Sequence, residues 1–401
     1  MFSKNPSRSS GMDFFWCILA LGSIFTKSKS FYEIYILFNF FFYFFSCSND
    51  KITDQNNSKF PATKSIPTEE SSSIQLEVYI DDFKMRSGPG VKHKEVARLK
   101  EKTIITYEGQ ESLHTTEIKL RGAKLNATWL QVKTKEGVDG WIYGGGVKVV
   151  STENKVAVAK INQIQMNSFF DKEIVDQINE YNKQWQLSNS STAFADVYLL
   201  AEKTQREINK ILGNNIEIND PSNLIDMSWL KNSFPGFQSS LVAEGTMLNI
   251  FKDYRIMYAK AKETEGTEDD DFINFQLHVN ELDSVEYYYK SWFMQTWDYG
   301  GHSLLGQGKH FSLLNEANEL LAKSKLFEKS ILEIKKEILN DISAGYITYW
   351  ESKEKILEEM KKIVSSNFDF LTTEDKILIK TRFEQFKKPT ANKIEINNRT
   401  Y

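Results

Sequence analysis

Hydrophobic and polar residues follow different patterns in successive parts of the chain. The first 47 residues are strongly apolar and hold 11 of the 28 phenylalanines. A polar stretch follows, then short runs in which apolar and polar residues alternate, and finally long runs with an apolar residue at every third or fourth position. Alternation is typical of strands, and the longer period is typical of amphipathic helices. The pattern predicts a multidomain protein with a leader at 1–46, a tether at 47–75, a small all-β domain at 76–150 and a larger all-α helical bundle domain at 155–400.

Two apolar stretches in the leader, Phe14–Phe25 and Ile34–Phe45, have 12 residues each. A membrane-spanning helix needs about 20 apolar residues, whereas the apolar core of a signal peptide needs about 7–15. Lys27 and Lys29 give the second stretch the positive flank of a signal peptide. The sequence therefore predicts export, and an unused upstream start codon would explain residues 1 to about 26.

The second stretch ends in Phe44-Phe45-Ser46-Cys47. This tetrapeptide resembles the lipobox of bacterial lipoproteins, although Phe44 stands where most lipoboxes have Leu. The resemblance implies that Cys47 carries a diacylglyceryl group and that the protein is a membrane-anchored lipoprotein of the cell envelope, facing the periplasm or the outside. An uncleaved apolar anchor with an incidental cysteine is the alternative. The Ser- and Asn-rich residues after Cys47 have no apolar period, which predicts a flexible tether.

Short strands with Gly-rich turns predict a small barrel or sandwich in the β domain. In the run Trp129–Lys133, Leu130 and Val132 alternate with Gln131 and Lys133, so the apolar pair is expected on one face.

The same region contains two short motifs with a specific order, Met85-Arg86-Ser87-Gly88-Pro89-Gly90 and Trp129-Leu130-Gln131-Val132 followed by Gly140-Trp141-Ile142-Tyr143. These motifs resemble the bacterial SH3 (SH3b) family. The resemblance implies an SH3-like barrel of five to seven strands that, in several relatives, binds cell-wall peptides. The sequence departs from the family pattern at 110–126. This segment is longer than a minimal module needs, so we expect it to form an extended loop or an extra hairpin.

A binding groove on such a barrel needs aromatic faces and a few polar groups at its rim. Core packing is the competing interpretation for both tryptophans, whereas Tyr143 is expected to be exposed. The groove candidates are Tyr79, Asp81, Arg86, Tyr107, Trp129, Trp141 and Tyr143.

The region after Val150 predicts helices, because Phe327, Ile331, Ile334, Ile338 and Ile342 form one apolar stripe. A second stripe runs from Phe272 to Phe293. Further helices are predicted at 170–186, 194–212, 238–261, 303–322, 347–364 and 374–387. Thr372 with Asp375 three residues on predicts a helix N-cap.

Candidate chemistry in the helical region is concentrated between Trp297 and His310. Gly301 and Gly306 fit a phosphate-binding loop, but Gln307 stands where that motif requires Lys. Weak acid–base candidates are Glu244, Asp298, His302 and His310, because imidazole titrates near neutral pH. A glycine-rich turn with a hydrogen-bonded histidine explains the same residues.

Charge and cysteine content exclude several classes of protein. A net charge of -4 offers no polycation for nucleic acid. Both cysteines, Cys17 and Cys47, lie in the leader region, so no cysteine nucleophile or disulfide framework is expected in the body. The sequence predicts no metal and no cofactor.

The sequence thus predicts an envelope binding or scaffold protein whose β domain recognises a cell-wall peptide or a protein segment, with the membrane as a second partner. Two alternatives stay open. One is a glycan-acting hydrolase whose paired carboxylates lie in the helical domain. The other is a structural β domain that supports a helical surface for a protein partner.

Overall fold

The computed structural model describes residues 74–150, 155–280, 289–294 and 301–396. The leader, Cys47, residues 48–73 of the predicted tether and Asp298 lie outside the described residues. The last two residues predicted for the tether, Ile74 and Gln75, instead belong to the first strand. Within the described ranges, no helix combines the length and the apolar character needed to cross a bilayer.

The β region forms one antiparallel sheet of seven strands in the order β3-β2-β6-β5-β4-β1-β7. The strands are β1 (Ile74–Val78), β2 (Phe83–Arg86), β3 (Glu95–Leu99), β4 (Ile104–Leu120), β5 (Ala123–Lys133), β6 (Asp139–Tyr143) and β7 (Val147–Val149). The expected alternation in β5 is confirmed, since Leu130 and Val132 are fully buried.

The prediction of a small SH3-like barrel is wrong, because β3 and β7 lie at opposite edges of the sheet and do not pair with each other. The segment 110–126, expected as an extended loop or an extra hairpin, forms the outer part of the long β4–β5 hairpin. The sheet packs against a helix, α1 (Lys155–Phe169), which contacts β5 and β7.

Gly144 permits the close contact between the sheet and α1. A Cβ atom at this position would lie 2.8 Å from the carbonyl oxygen of Thr128 and 3.3 Å from Cγ2 of Ile164 on α1. The side chain of Gln165 strengthens the contact by donating a hydrogen bond of 2.8 Å to the carbonyl of Val147. The space beside the glycine triplet at 144–146 is therefore occupied by other atoms of the protein.

Within the described residues, nine further helices follow α1. They are α2 (Lys172–Leu187), α3 (Ser191–Asn215), α4 (Trp229–Ser233), α5 (Tyr254–Ala261), α6 (Glu268–Val279), α7 (Lys309–Lys323), α8 (Glu328–Ser343), α9 (Lys353–Ser365) and α10 (Thr373–Phe386). The predicted N-cap is confirmed as a capping box, in which Thr372 and Asp375 each bond the other's backbone N–H.

The prediction that the larger region is all-α is wrong, because its described residues include six strands. A helix was expected at 238–261, but β8 (Phe237–Val242) and β9 (Met247–Lys252) form a hairpin there. The turn of this hairpin holds Ala243, Glu244 and Gly245 at φ values of 51°, 56° and 81°, a left-handed backbone that cannot continue a helix. The remaining strands form one small mixed sheet of β10 (Phe293–Met294), β11 (His302–Ser303), β12 (Thr348–Tyr349) and β13 (Glu395–Ile396).

The fold is mixed α/β. Buried apolar side chains of the seven-stranded sheet and of the helices form one continuous hydrophobic cluster. The position of α1 is thereby set by the sheet on one side and by α2 and α4 on the other.

Candidate functional site

Most of the aromatic groove candidates are packed inside the protein. Trp129 and Tyr143 are each 2 % exposed and meet edge to face with ring centroids 5.8 Å apart. The Tyr143 hydroxyl donates to the carbonyl of Leu125 at 2.7 Å, and burial raises the pKa of Tyr143 to about 12. Tyr79 and Tyr107 are also buried, and Trp141 is half-buried. Tyr143 was expected to be exposed, and its ring instead belongs to the core.

The two charged groove candidates lie apart from one another. Asp81 is exposed and accepts a weak hydrogen bond of 3.4 Å from the backbone of Glu101. Arg86 faces Trp141 across β2 and β6 and donates to the carbonyl of His93 at 2.9 Å. The structure therefore does not bring the groove candidates together into an exposed aromatic surface.

The candidates of the larger region are also separated. Glu244 is exposed at the β8–β9 turn. His310 is fully buried, and its Nε2 lies 2.7 Å from Oδ2 of Asp341, the same oxygen that accepts the hydroxyl of Ser303 at 2.5 Å. His302 stacks on Trp350 with ring centroids 5.8 Å apart. In a Ser-His-Asp triad the histidine lies between the serine and the aspartate, whereas here Asp341 lies between Ser303 and His310.

The glycine-rich segment before α7 binds an anion that belongs to the protein itself. Backbone N–H groups of Gly306 and Gly308 donate to Oε2 of Glu359 at 2.5 and 2.8 Å, and the N–H of Phe311 donates to Oε1 at 2.9 Å. Such N–H groups at a helix start are the donors that a phosphate would use. The buried carboxylate of Glu359 satisfies them, so this segment is a structural loop.

Paired catalytic carboxylates of the kind that a glycan hydrolase needs receive no support from the buried acids. Among the described residues, the buried carboxylates all accept hydrogen bonds within the fold; they are Asp253, Asp269, Asp341, Glu351 and Glu359. The described part of the chain also has no group of three or more His, Cys, Asp or Glu side chains able to hold a metal ion.

A cleft of about 420 Å³ opens where α1, α2 and α4 meet. Binding pockets for small ligands have volumes of about 300–1,000 Å³. Side-chain amides dominate its polar lining, and we call it the carboxamide cleft. Its polar uncharged lining residues are Asn162, Gln163, Asn179, Asn182, Asn232 and Ser233.

One face of α1 forms the longest wall of the carboxamide cleft. Its lining residues recur at intervals of three, one, three, one and three positions, which places them on a single helical stripe. They are Lys155, Val158, Ala159, Asn162, Gln163 and Met166. The opposite face of α1 carries Ile161 and Ile164 into the core, so burial of these residues turns the amides toward the cleft.

The second wall comes from α2, which reverses direction after a two-residue connection. Asp171 caps α2 by accepting a hydrogen bond of 3.1 Å from the backbone of Ile174. Gln163 and Asn179 each lie eight positions from Asp171, and they meet across the two helices. Nδ2 of Asn179 donates to Oε1 of Gln163 at 3.2 Å, and Nε2 of Gln163 donates to Oδ1 of Asn167 at 3.0 Å.

The third wall is the end of α4. Nδ2 of Asn182 donates to the carbonyl of Asn232 at 3.3 Å, and the hydroxyl of Tyr181 donates to the carbonyl of Pro235 at 2.6 Å. These two hydrogen bonds hold α4 and the residues after it against α2. The three walls are thus fixed to one another by side chains that also line or flank the cleft.

The lining determines which ligands the cleft suits. Among the described residues that line it, Lys155 is the one charged side chain. A carboxamide offers both donors and an acceptor, so a row of them suits an uncharged ligand that also carries both. A polyphosphate or a strongly charged cofactor would lack matching charges here.

Sequence analysis missed this cleft, because no helix was predicted at 155–169 and because Asn and Gln form no recognised motif. A signal was present in the spacing. Asn179 and Asn182 lie three positions apart in the predicted helix at 170–186, and Asn162 and Gln163 lie on the stripe of α1.

No protein-family model matches this chain, and neither a curated protein nor a solved structure matches it. The resemblance to SH3b sequences and the predicted lipidation of Cys47 stay predictions.

Proposed function

We propose that this protein binds an extended peptide segment in the carboxamide cleft and is held at the bacterial cell envelope by a lipid on Cys47. The cleft supports the first part of the proposal. The lipobox-like residues 44–47 support the second part.

The observation that carries the peptide proposal is the match between the amide lining and a peptide backbone. A peptide unit presents an N–H donor and a C=O acceptor, and a carboxamide presents the complementary pair. The protein already uses this pairing internally: Nδ2 of Asn209 donates to the carbonyl of Ile250 at 3.0 Å, and Oδ1 of Asn209 accepts from the N–H of Ile250 at 2.7 Å.

The length of the cleft suits a short segment. The first and last described α1 residues that line the cleft, Lys155 and Met166, are eleven positions apart, which corresponds to about 16 Å at 1.5 Å per residue. An extended chain advances about 3.3 Å per residue, so this wall spans about five peptide residues.

The test is ligand-observed NMR of the full-length chain in detergent with the peptide Ac-Ala-Ala-Ala-NH2. At about 0.3 kcal/mol per non-hydrogen atom, such a peptide is expected to bind with a dissociation constant on the order of 0.1 mM. Asn179→Leu should weaken binding about fivefold or more, because it removes a donor and releases Gln163. Asn315→Leu, a change of the same type at an exposed position of α7, is the matched control.

Three outcomes contradict the peptide proposal. These are no saturation by the peptide, equal binding to Asn179→Leu and wild type, and binding of chitotriose instead of the peptide. The last result would assign the cleft to glycans.

A further inference from the structure

The carboxamide cleft has a buried floor. Along the lining stripe of α1, Lys155 and Ala159 are exposed, whereas Asn162 and Met166 are 5 % and 2 % exposed. The last residue of α4, Ser233, also lines the cleft and is 5 % exposed. We call Asn162, Met166 and Ser233 the cleft floor.

Two of the three side chains of the cleft floor are polar and have no partner. Among the described residues, no hydrogen bond to the amide group of Asn162 or to the hydroxyl of Ser233 is found. The shallower amides differ, because Asn179 is exposed and donates to Gln163 at 3.2 Å. Buried polar groups in folded proteins nearly always have a hydrogen-bond partner. The cleft floor therefore holds donors and acceptors that a ligand can use.

The chemistry of the cleft floor selects among the side chains that a peptide can bring. Asn162 offers two N–H donors and an acceptor oxygen, and Ser233 offers a donor and an acceptor. A carboxylate would be buried there without a cation, and an apolar side chain would leave both polar groups unpaired. A carboxamide carries donors and an acceptor without a charge, so it matches both groups.

We infer that the cleft floor binds a carboxamide side chain, Gln or Asn, of the bound peptide. The carboxamide is hydrogen-bonded to Asn162 and Ser233, and its methylene groups lie against Met166. The backbone of the peptide lies along the shallower amides of Gln163 and Asn179, and one side chain reaches down to the floor. The inference rests on the proposed peptide-binding function and adds the class of peptide that the cleft selects.

The experiment is ligand-observed NMR of the full-length chain in detergent with two series of peptides, Ac-Ala-X-Ala-NH2. In the first series X is Gln, Glu or Met, and in the second X is Asn, Asp or Leu, so that the side chains within a series are similar in size. In at least one series the carboxamide peptide should bind about tenfold more tightly than the other two, because an unpaired polar group or an unpaired charge would be buried in their complexes.

Asn162→Leu should remove this preference, so that the carboxamide peptide and its apolar counterpart bind equally. Leu is similar to Asn in shape, and the change removes no hydrogen bond found among the described residues. Ser233→Ala, which removes a single oxygen atom, should reduce the preference to about threefold and provides the test if Asn162→Leu does not fold.

Two further variants are the controls. Asn179→Leu lies at the shallow part of the cleft and should weaken all peptides by the same factor, which leaves the preference unchanged. Asn315→Leu, at an exposed position of α7, should bind every peptide as wild type does.

The outcomes separate this inference from the function on which it rests. If wild type binds none of the peptides, the peptide-binding proposal itself fails. If the peptides of each series bind equally, or if Asn162→Leu and Ser233→Ala keep the full preference, the inference about the cleft floor fails and peptide binding stands. Tightest binding of the apolar peptides would show that the floor is an apolar subsite, and tightest binding of the acidic peptides would contradict the charge argument.

Discussion

Asn209 on α3 holds the backbone of Ile250 on β9 through a reciprocal pair of hydrogen bonds of 3.0 and 2.7 Å. Ile250 is fully buried, so its N–H and C=O groups need partners within the protein. The two hydrogen bonds from Asn209 provide partners for the backbone of β9 on the side that faces α3, so the β8–β9 hairpin packs against this helix as a two-stranded sheet.

Asn209→Leu should lower the free energy of unfolding by about 2–4 kcal/mol, because the buried N–H of Ile250 loses its acceptor. The carbonyl of Ile250 keeps a second donor, Nε2 of Gln205 at 2.9 Å. Urea denaturation followed by circular dichroism measures the change. Asn315→Leu, at an exposed position of α7, should stay within about 0.5 kcal/mol of wild type. A similarly small effect of Asn209→Leu would contradict the prediction.

Glu359→Gln should destabilise the fold by about 2–4 kcal/mol. The carboxylate accepts three backbone N–H groups at the start of α7, and a glutamine would replace one acceptor oxygen by an NH2 donor. The neighbouring Glu358 is exposed and pairs with Lys362 at 3.1 Å. Glu358→Gln should therefore cost about 0.5 kcal/mol or less in the same urea measurement.

Gly144→Ala should destabilise the protein by about 1–3 kcal/mol, because the added methyl group forces the carbonyl of Thr128 and the side chain of Ile164 apart. Since Ile164 lies on α1, the same change should weaken peptide binding in the carboxamide cleft. Gly213→Ala is the control. Gly213 lies in α3 with nothing within 4 Å of the added atom, so this change should stabilise by about 0.5–1 kcal/mol. Equal thermal midpoints for the two variants would refute the packing argument.

The stability that the Asp375 carboxylate contributes to the fold should be lost in acid. Burial by itself raises the pKa of Asp375, but hydrogen bonds from Lys335 at 2.7 Å and from the backbone of Thr372 outweigh it, and the pKa lies below its ordinary value. A lowered carboxyl pKa stabilises the fold above the unfolded-state pKa of about 4, and this stabilisation is lost as pH falls through the lower folded-state value.

The stability difference between wild type and Asp375→Asn should accordingly be constant between pH 5 and 7 and shrink below about pH 4. Chemical denaturation across this range measures it. Lys335→Met should reduce the pH-dependent part, because it removes the ammonium partner. A difference that stays constant down to about pH 2 would show that Asp375 is not stabilised in its charged form.

Cys47→Ser should abolish lipid attachment and move the protein from the membrane fraction to the soluble or precursor fraction. The physical reason is that two acyl chains, at about 0.8 kcal/mol per buried CH2, provide the stable anchor. Mass spectrometry of the mature N-terminus is the measurement. Unmodified Cys47 within an uncleaved leader, found in the wild-type membrane fraction, would contradict the lipobox interpretation.

Local signals were enough for many elements. The alternation in β5, the capping box at Thr372 and the stripe in α8 each depend on residues close together in sequence, and the structure confirms them. The predicted helix at 238–261 was confirmed only at its end, as α5, and was wrong over its first part. The β8–β9 hairpin there depends on a left-handed turn and on the contact with Asn209 in a distant helix.

By itself, the sequence determined that the strand β5 alternates and that the helix α8 buries one apolar stripe, since both follow from the order of apolar and polar side chains. Tertiary structure decided that the sheet stays open, that Tyr143 is buried, and that amides from α1, α2 and α4 converge. The reason is that α1 and the sheet cover each other's apolar faces, and which surface covers which depends on contacts between residues far apart in the chain.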